Sequence, residues 1–288
     1  MVALGSVKMT MSWWQALILG VVQGLTEFFP ISSSGHLQLV PWLFNWEDLE
    51  SESVSTAFDA ALHLGTLLAV VVAVRHDLVT LIVSGVRYPF ASVATRATLP
   101  HGRLAWLYVL TAVPAAAVGV FFDDVIAEQL GGPVVIAVSL IGFGAVLWWA
   151  DRRSGDRVAE QLTTRHALLI GAAQVLSLNP GTSRSGITIS AMRALGYGRA
   201  AAVRMSFVIG VPIIAGAGVW KVAGLIADGV PEGLTSAMLI GVTTAAITGW
   251  LAISALQRLA ARSDFNIFVV YRVALGIAVL GLVATGLR

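Results

Sequence analysis

Two short segments carry most of the reactive side chains in an otherwise apolar chain. The first, EFFPISSSGHLQL over residues 27–39, brings together a carboxylate at Glu27, a hydroxyl at Ser33 and an imidazole at His36. The second, NPGTSRSG over residues 179–186, supplies a guanidinium at Arg184. His36 suits general acid or base work near neutral pH. Glu27 can orient that imidazole, accept a proton, or hold a divalent metal through oxygen. Ser33 is a candidate nucleophile activated by His36, although a serine in such a turn is also a natural helix cap. The planar fork of Arg184 matches phosphate oxygens. Gln23 lies one helical turn before Glu27 and shares its face. Asp59 and His63 form a weaker pair at i, i+4, able to line a cavity or to lie at its mouth.

The turns around these residues have a common design. Pro30 ends or bends the first helix, and the run Ser32-Ser33-Ser34 suits the start of a new one, with a serine capping its first amides. Pro180 and Gly181 make the second turn, and Thr182 or Ser183 can cap. Free N–H groups at a helix N-terminus attract anions. Two such N-termini and an arginine facing one cavity suit a phosphate or pyrophosphate. Glu27, Ser33, His36 and Arg184 are therefore the candidate catalytic residues, with Glu27 also the candidate metal ligand. Gln23, Ser32, Ser34, Thr182, Ser183 and Ser185 are the candidate substrate-binding residues.

The rest of the chain must position these groups in a bilayer. Of 288 residues, 57% are hydrophobic and 12% charged, and mean hydropathy is +0.84. Soluble domains carry about twice that charged fraction. The absence of cysteine excludes disulfides, thiolate catalysis and thiolate metal sites. A net charge of +2 gives no reason to expect nucleic acid, and no cleavable signal peptide is evident. Six apolar runs are long enough to span, near 56–74, 104–122, 133–150, 203–222, 234–257 and 265–286. Regions 13–44 and 166–197 are instead broken by Pro, Gly and Ser near their middles, and 78–90 is short enough to be interfacial. The expected fold class is an all-α integral membrane protein, with six transmembrane helices plus two re-entrant broken helix pairs in one membrane domain.

Charge sets the orientation. Loop 45–55 carries Glu47, Asp48, Glu50 and Glu52, and the turn near 123–132 carries Asp123, Asp124 and Glu128. Arginines crowd 75–103, 151–165 and 258–264, which places those loops inside. Both broken regions then enter and leave on one side. Sliding residues 16–36 onto 167–187 without a gap gives eight identities in twenty-one positions, including Gln23/Gln174, Ser32/Ser183, Ser34/Ser185 and Gly35/Gly186. Three spans follow each copy, so the copies have opposite orientation. The expectation is two inverted-topology repeats, about 13–150 and 166–287, with a site at their interface.

The stretches GVVQGLTEFFPISSSGHL and LNPGTSRSGITI closely resemble the two signature segments of the undecaprenyl-pyrophosphate phosphatases of the bacitracin-resistance type. LGTLLAVVV, SFVIGVPIIAGAG and FVVYRVALGI are similar to the same family, so the resemblance covers nearly the whole chain. It implies a plasma-membrane enzyme that removes one phosphate from undecaprenyl pyrophosphate, with its active site on the outer side, recycling the lipid carrier of cell-wall synthesis. The family's acidic motif falls on Gln23 and Glu27, its serine and histidine on Ser33 and His36, and its arginine motif on Thr182, Ser183 and Arg184. The resemblance implies a divalent cation, Mg²⁺ or Ca²⁺. Many members carry glutamate where this chain has Gln23, which removes one candidate ligand and leaves the pyrophosphate to supply most of the rest. The expected partners are a polyprenyl pyrophosphate and membrane lipid; the sequence leaves a homodimer open. The rival reading is a transporter of an anionic lipid carrier or phosphate, since paired broken helices in inverted repeats are a transporter architecture. The Glu/Ser/His group at one break argues against transport alone.

Overall fold

The computed structural model describes residues 11–46, 52–229 and 233–288, with side chains at 52–53, 97, 122–129, 220–222 and 224–228 outside that description. The acidic groups at 47–50, 52, 123, 124 and 128 therefore fall outside it. The described residues are helical apart from turns and an isolated bridge between Arg157 and Tyr197.

In chain order the helices are α1 (Trp13–Phe28), α2 (Ser33–Phe44), α3 (Glu52–Ala73), α4 (Arg75–Arg87), α5 (Val93–Ala97), α6 (Pro100–Leu130), α7 (Pro133–Asp151), α8 (Thr164–Val175), α9 (Arg184–Ala194), α10 (Arg199–Asp228), α11 (Thr235–Ala260) and α12 (Asn266–Ala284). Six of them hold apolar stretches long enough to cross a membrane: Val54–Ala73, Pro100–Phe121, Pro133–Asp151, Arg199–Val219, Thr235–Ala260 and Asn266–Ala284. These coincide with the six runs expected from hydropathy. The expected turn near 123–132 is shorter than that. Helix α6 continues to Leu130, and the chain turns only at Gly131-Gly132 before Pro133 opens α7. Acidic residues cost a helix little, whereas two successive glycines followed by proline end it here. Likewise α10 runs to Asp228, through Pro212.

The two broken regions are helical hairpins. Ser12 opens α1 with a capping box to Gln15. Phe29, extended before Pro30, closes it. Helix α8 passes through a 3₁₀ turn at Leu176–Leu178 before the chain reverses into α9. The caps of α2 and α9, Ser32 and Ser183, hold φ 77° and 75°, the left-handed region that non-glycine residues avoid. Each accepts from the N–H three residues on, Gly35 or Gly186. Strain of this kind is worth about 1–3 kcal/mol per residue and persists only where its surroundings impose it. It recurs here at positions that the sequence alignment pairs.

Packing follows the same pairing. Helix α1 lies on α11, while α8 lies on α6. Gly20 permits the first contact, since a Cβ there would meet the Gly241 carbonyl at 3.0 Å; its counterpart Gly171 would meet the Thr111 carbonyl at 2.9 Å. Helix α3 packs on α11 and α10, α10 on α6, and α7 on α12. Small residues at such crossings let backbones approach closely.

Candidate active site

The N-termini of α2 and α9 meet. The Gly181 N–H donates to Ser32 Oγ at 3.0 Å, and Ser185 Oγ donates to the Phe29 carbonyl at 3.1 Å. Each turn thus holds the other. Glu27, in the last turn of α1, reaches this junction. Its Oε2 accepts from Ser33 Oγ at 2.7 Å and from Gln23 Nε2 at 3.4 Å. Its Oε1 accepts from Arg184 Nη2 at 3.0 Å. The pair is well removed from solvent, with side-chain exposures of 7% for Glu27 and 10% for Arg184. Arg184 Nη1 donates to the Ser206 carbonyl on α10. Two contacts leave three of the guanidinium's five N–H groups for a ligand. The structure thus joins Gln23, Glu27, Ser33 and Arg184 across 157 residues of sequence.

His36 is held on the other side of the turn. Its Nδ1 lies 2.7 Å from the Ser32 carbonyl, which can only accept, so Nδ1 carries the proton. In the neutral ring Nε2, 2.7 Å from the Tyr271 hydroxyl, is then an acceptor. The two rings stack with centroids 5.6 Å apart. The Ser33 hydroxyl therefore donates to Glu27, while both His36 nitrogens are engaged elsewhere. Ser34 is exposed and contacts Ser32 Oγ at 3.4 Å. Thr182, Ser183 and Ser185 are buried, and their hydroxyls bond protein atoms: Thr182 accepts from Asn179, and Ser183 and Ser185 bond each other.

Three residues outside the two motifs complete the arrangement. Tyr271 is one. Arg272, wholly buried, is the second. Its Nε donates to Leu140 O, Nη1 to Pro30 O and Thr182 O, and Nη2 to Ser139 O and Gly181 O. All five guanidinium N–H groups are thereby used on carbonyls, tying both turns to α7. The charge itself faces no carboxylate among these partners, and it adds positive potential behind the turns. The third is Gly210 on α10. A Cβ there would lie 2.2 Å from Arg184 Nη1, so glycine clears the space for the guanidinium. The signal for Tyr271 and Arg272 was an arginine within the last apolar run, since ionisable residues at membrane depth are functional by default. Nothing in the local sequence marks Gly210.

For a divalent cation, the described residues contain no group of three His, Cys, Asp or Glu side chains. Two oxygens remain as donors. Glu27 is one source, and the other is Gln23 Oε1, a buried acceptor with no hydrogen-bond partner. These fit a hard cation held mostly by oxygens of its ligand. Gln174, the sequence counterpart of Gln23, likewise leaves its Oε1 unpaired, but it donates to the Thr111 carbonyl at 2.6 Å on α6 and has no contact with Glu27.

Comparison with known proteins identifies the family. The family model described as bacitracin resistance protein BacA matches residues 16–278. The chain belongs to this family. Among similar proteins, one named undecaprenyl-diphosphatase in Elusimicrobium minutum is 43% identical over 265 residues, covering 92% of this chain and 96% of its own. Another of that name, in Thermomicrobium roseum, is 43% identical over 280 residues, covering 94% and 98%. A protein named undecaprenyl-diphosphatase 2 in Stutzerimonas stutzeri is 42% identical over 270 residues, covering 92% and 96%. Six apolar helices and membership of the BacA family make this a multi-pass membrane protein.

Proposed function

We propose that this protein is a phosphatase that hydrolyses undecaprenyl pyrophosphate to undecaprenyl phosphate and inorganic phosphate, recycling the lipid carrier and conferring bacitracin resistance. The observation that carries the reading is the Arg184–Glu27–Ser33 chain, with contacts of 3.0 and 2.7 Å. It sets a hydroxyl, a base for its proton and a phosphate-binding cation side by side where two helix N-termini meet. The names of the relatives supply the substrate.

The pyrophosphate is held by the free N–H groups of Arg184 and by the amides opening α2 and α9. Ser33 Oγ attacks the terminal phosphorus in line and passes its proton to Glu27. The Oγ–P bond forms as the bridging P–O bond breaks, and undecaprenyl phosphate leaves. Water then attacks the phosphoserine, restoring Ser33 and releasing inorganic phosphate. His36 takes the proton of that water at Nε2, which exchanges its Tyr271 contact for the water, and Glu27 returns its proton to Ser33 Oγ. Arg184 meets the charge that develops on the equatorial oxygens. Gln23 and Glu27 would hold the divalent cation, which supplies neutralisation of the pyrophosphate charge.

Matched left-handed caps, matched hairpins and matched helix packing support two inverted repeats with re-entrant pairs α1–α2 and α8–α9. The resemblance to the bacitracin-resistance type supports a site that opens on the outer face of the plasma membrane. The test is release of inorganic phosphate from a polyprenyl pyrophosphate by the purified protein, with and without Mg²⁺ or Ca²⁺. Metal-dependent release by wild type and its loss in Arg184→Ala are expected. No release from folded wild type across several prenyl chain lengths would overturn the reading.

A further inference from the structure

Away from the active site, two neighbouring cavities share the wall formed by Tyr108. One, of about 430 Å³, lies between α4, α6 and α10 and is lined by Asp77, His101, Glu160 and Arg204. The other, of about 330 Å³, is an apolar groove walled by Ile82, Val86, Trp106 and Pro212. Leu81, Tyr108 and Val208 belong to both. Together they make an elongated site, polar at one end and apolar along its length.

Its polar end is built. Arg204 forms a two-pronged pair with Asp77, at 2.8 and 2.6 Å, which occupies both carboxylate oxygens. The Glu160 carboxylate lies within electrostatic reach of Arg204 and has no partner among the described residues. Tyr108 is only 6% exposed, and it lines both cavities, where its phenol O–H can donate to a ligand. Trp106 Nε1 donates to the Gly85 carbonyl at 3.0 Å, which fixes α4 against α6. Tryptophan anchored in this way marks headgroup depth, and the surrounding arginines, Arg75, Arg87 and Arg103, mark the cytoplasmic leaflet.

We propose that this pair of cavities binds a phospholipid with a primary-amine headgroup. One acyl chain fills the groove beside Ile82 and Trp106. The phosphodiester accepts from the Tyr108 hydroxyl and from the Arg204 N–H groups that Asp77 leaves free. The ammonium sits against Glu160. Among the lining side chains two carboxylates face one guanidinium, so Glu160 favours a headgroup that carries an ammonium. The proposal is independent of the phosphatase reading.

The test is native mass spectrometry of the full-length protein in detergent, offered phosphatidylethanolamine and phosphatidylglycerol of identical chains in equal amounts. Wild type is expected to retain phosphatidylethanolamine preferentially, by about tenfold for one charge-assisted hydrogen bond. Glu160→Gln should remove the preference. Ile82→Trp, on an exposed wall of the groove, should lower retention of the lipid while phosphate release is unchanged. Equal retention of the two lipids by wild type, retention of neither, or a preference that survives Glu160→Gln would overturn the proposal.

Discussion

The Ser33 hydroxyl donates to Glu27 at 2.7 Å, and the other oxygen of the same carboxylate takes Arg184 at 3.0 Å. One carboxylate thus links the hydroxyl of the first turn to the cation of the second. With Glu27→Gln the shape is kept while the negative charge and the proton acceptor go. General-base contributions run to about 10²–10⁴-fold, and kcat for phosphate release should fall by that order with KM altered far less. A rise in KM at constant kcat would mean that Glu27 only binds.

Gly210 offers a separate handle on Arg184. A methyl group at 2.2 Å from Nη1 cannot coexist with the present guanidinium position. The side chain is flexible, so Gly210→Ala should fold with a near-normal melting temperature. Its guanidinium is displaced from Glu27, and a misplacement of about 1 Å can lower turnover by about 10²-fold. Parallel melting curves and phosphate-release assays check this. Full activity in Gly210→Ala would mean that the guanidinium reaches the phosphate from another position.

The polar motifs were legible because their cost in a bilayer makes them conspicuous. Glu27, Ser33, His36 and Arg184 stand out against apolar neighbours, and the ungapped match of 16–36 to 167–187 pairs the two turns before any contact is known. What sequence does not show is which groups touch. Gln23 and Gln174 are equivalent by alignment, yet one meets Glu27 and the other a backbone carbonyl on α6. Arg272 acts on Pro30 from 242 residues away. Gly210 matters only because Arg184 crosses it. Each of these depends on helix packing, which hydropathy locates in the membrane but not around a neighbour. The end of α6 differs from the sequence expectation for a simpler reason: the acidic stretch stays helical, and the chain turns only at Gly131-Gly132-Pro133.

Arg272 should govern stability before chemistry. Its five donors satisfy five carbonyls in a site with no solvent. The Ser139 and Leu140 carbonyls lie inside α7 and keep their helix bonds, whereas those of Pro30, Gly181 and Thr182 belong to the two turns. A lysine ammonium lacks the planar fork that reaches all three, so Arg272→Lys leaves turn carbonyls unpaired at about 1–3 kcal/mol each. The melting temperature in detergent should drop markedly, while Tyr271→Phe, which removes one hydrogen bond, should lower it little. Equal melting temperatures for Arg272→Lys and wild type would show that the two turns hold without it.

The order of the two chemical steps can be separated through His36. If Ser33 is the nucleophile, the first step needs Glu27 and the second needs a base for water. His36→Gln removes the acceptor at Nε2 while keeping a polar group near the Ser32 carbonyl. The variant should release one equivalent of undecaprenyl phosphate per protein, then stall with phosphate on Ser33, detectable as a mass gain on the peptide containing residues 27–39. Ser33→Ala should show neither the burst nor the adduct. Tyr271→Phe frees Nε2 and should change the pH profile of steady-state turnover while leaving the burst intact. A His36→Gln protein that is folded, inactive and free of adduct would instead place His36 in the first step and make water the attacking group, with Ser33 left to hold Glu27.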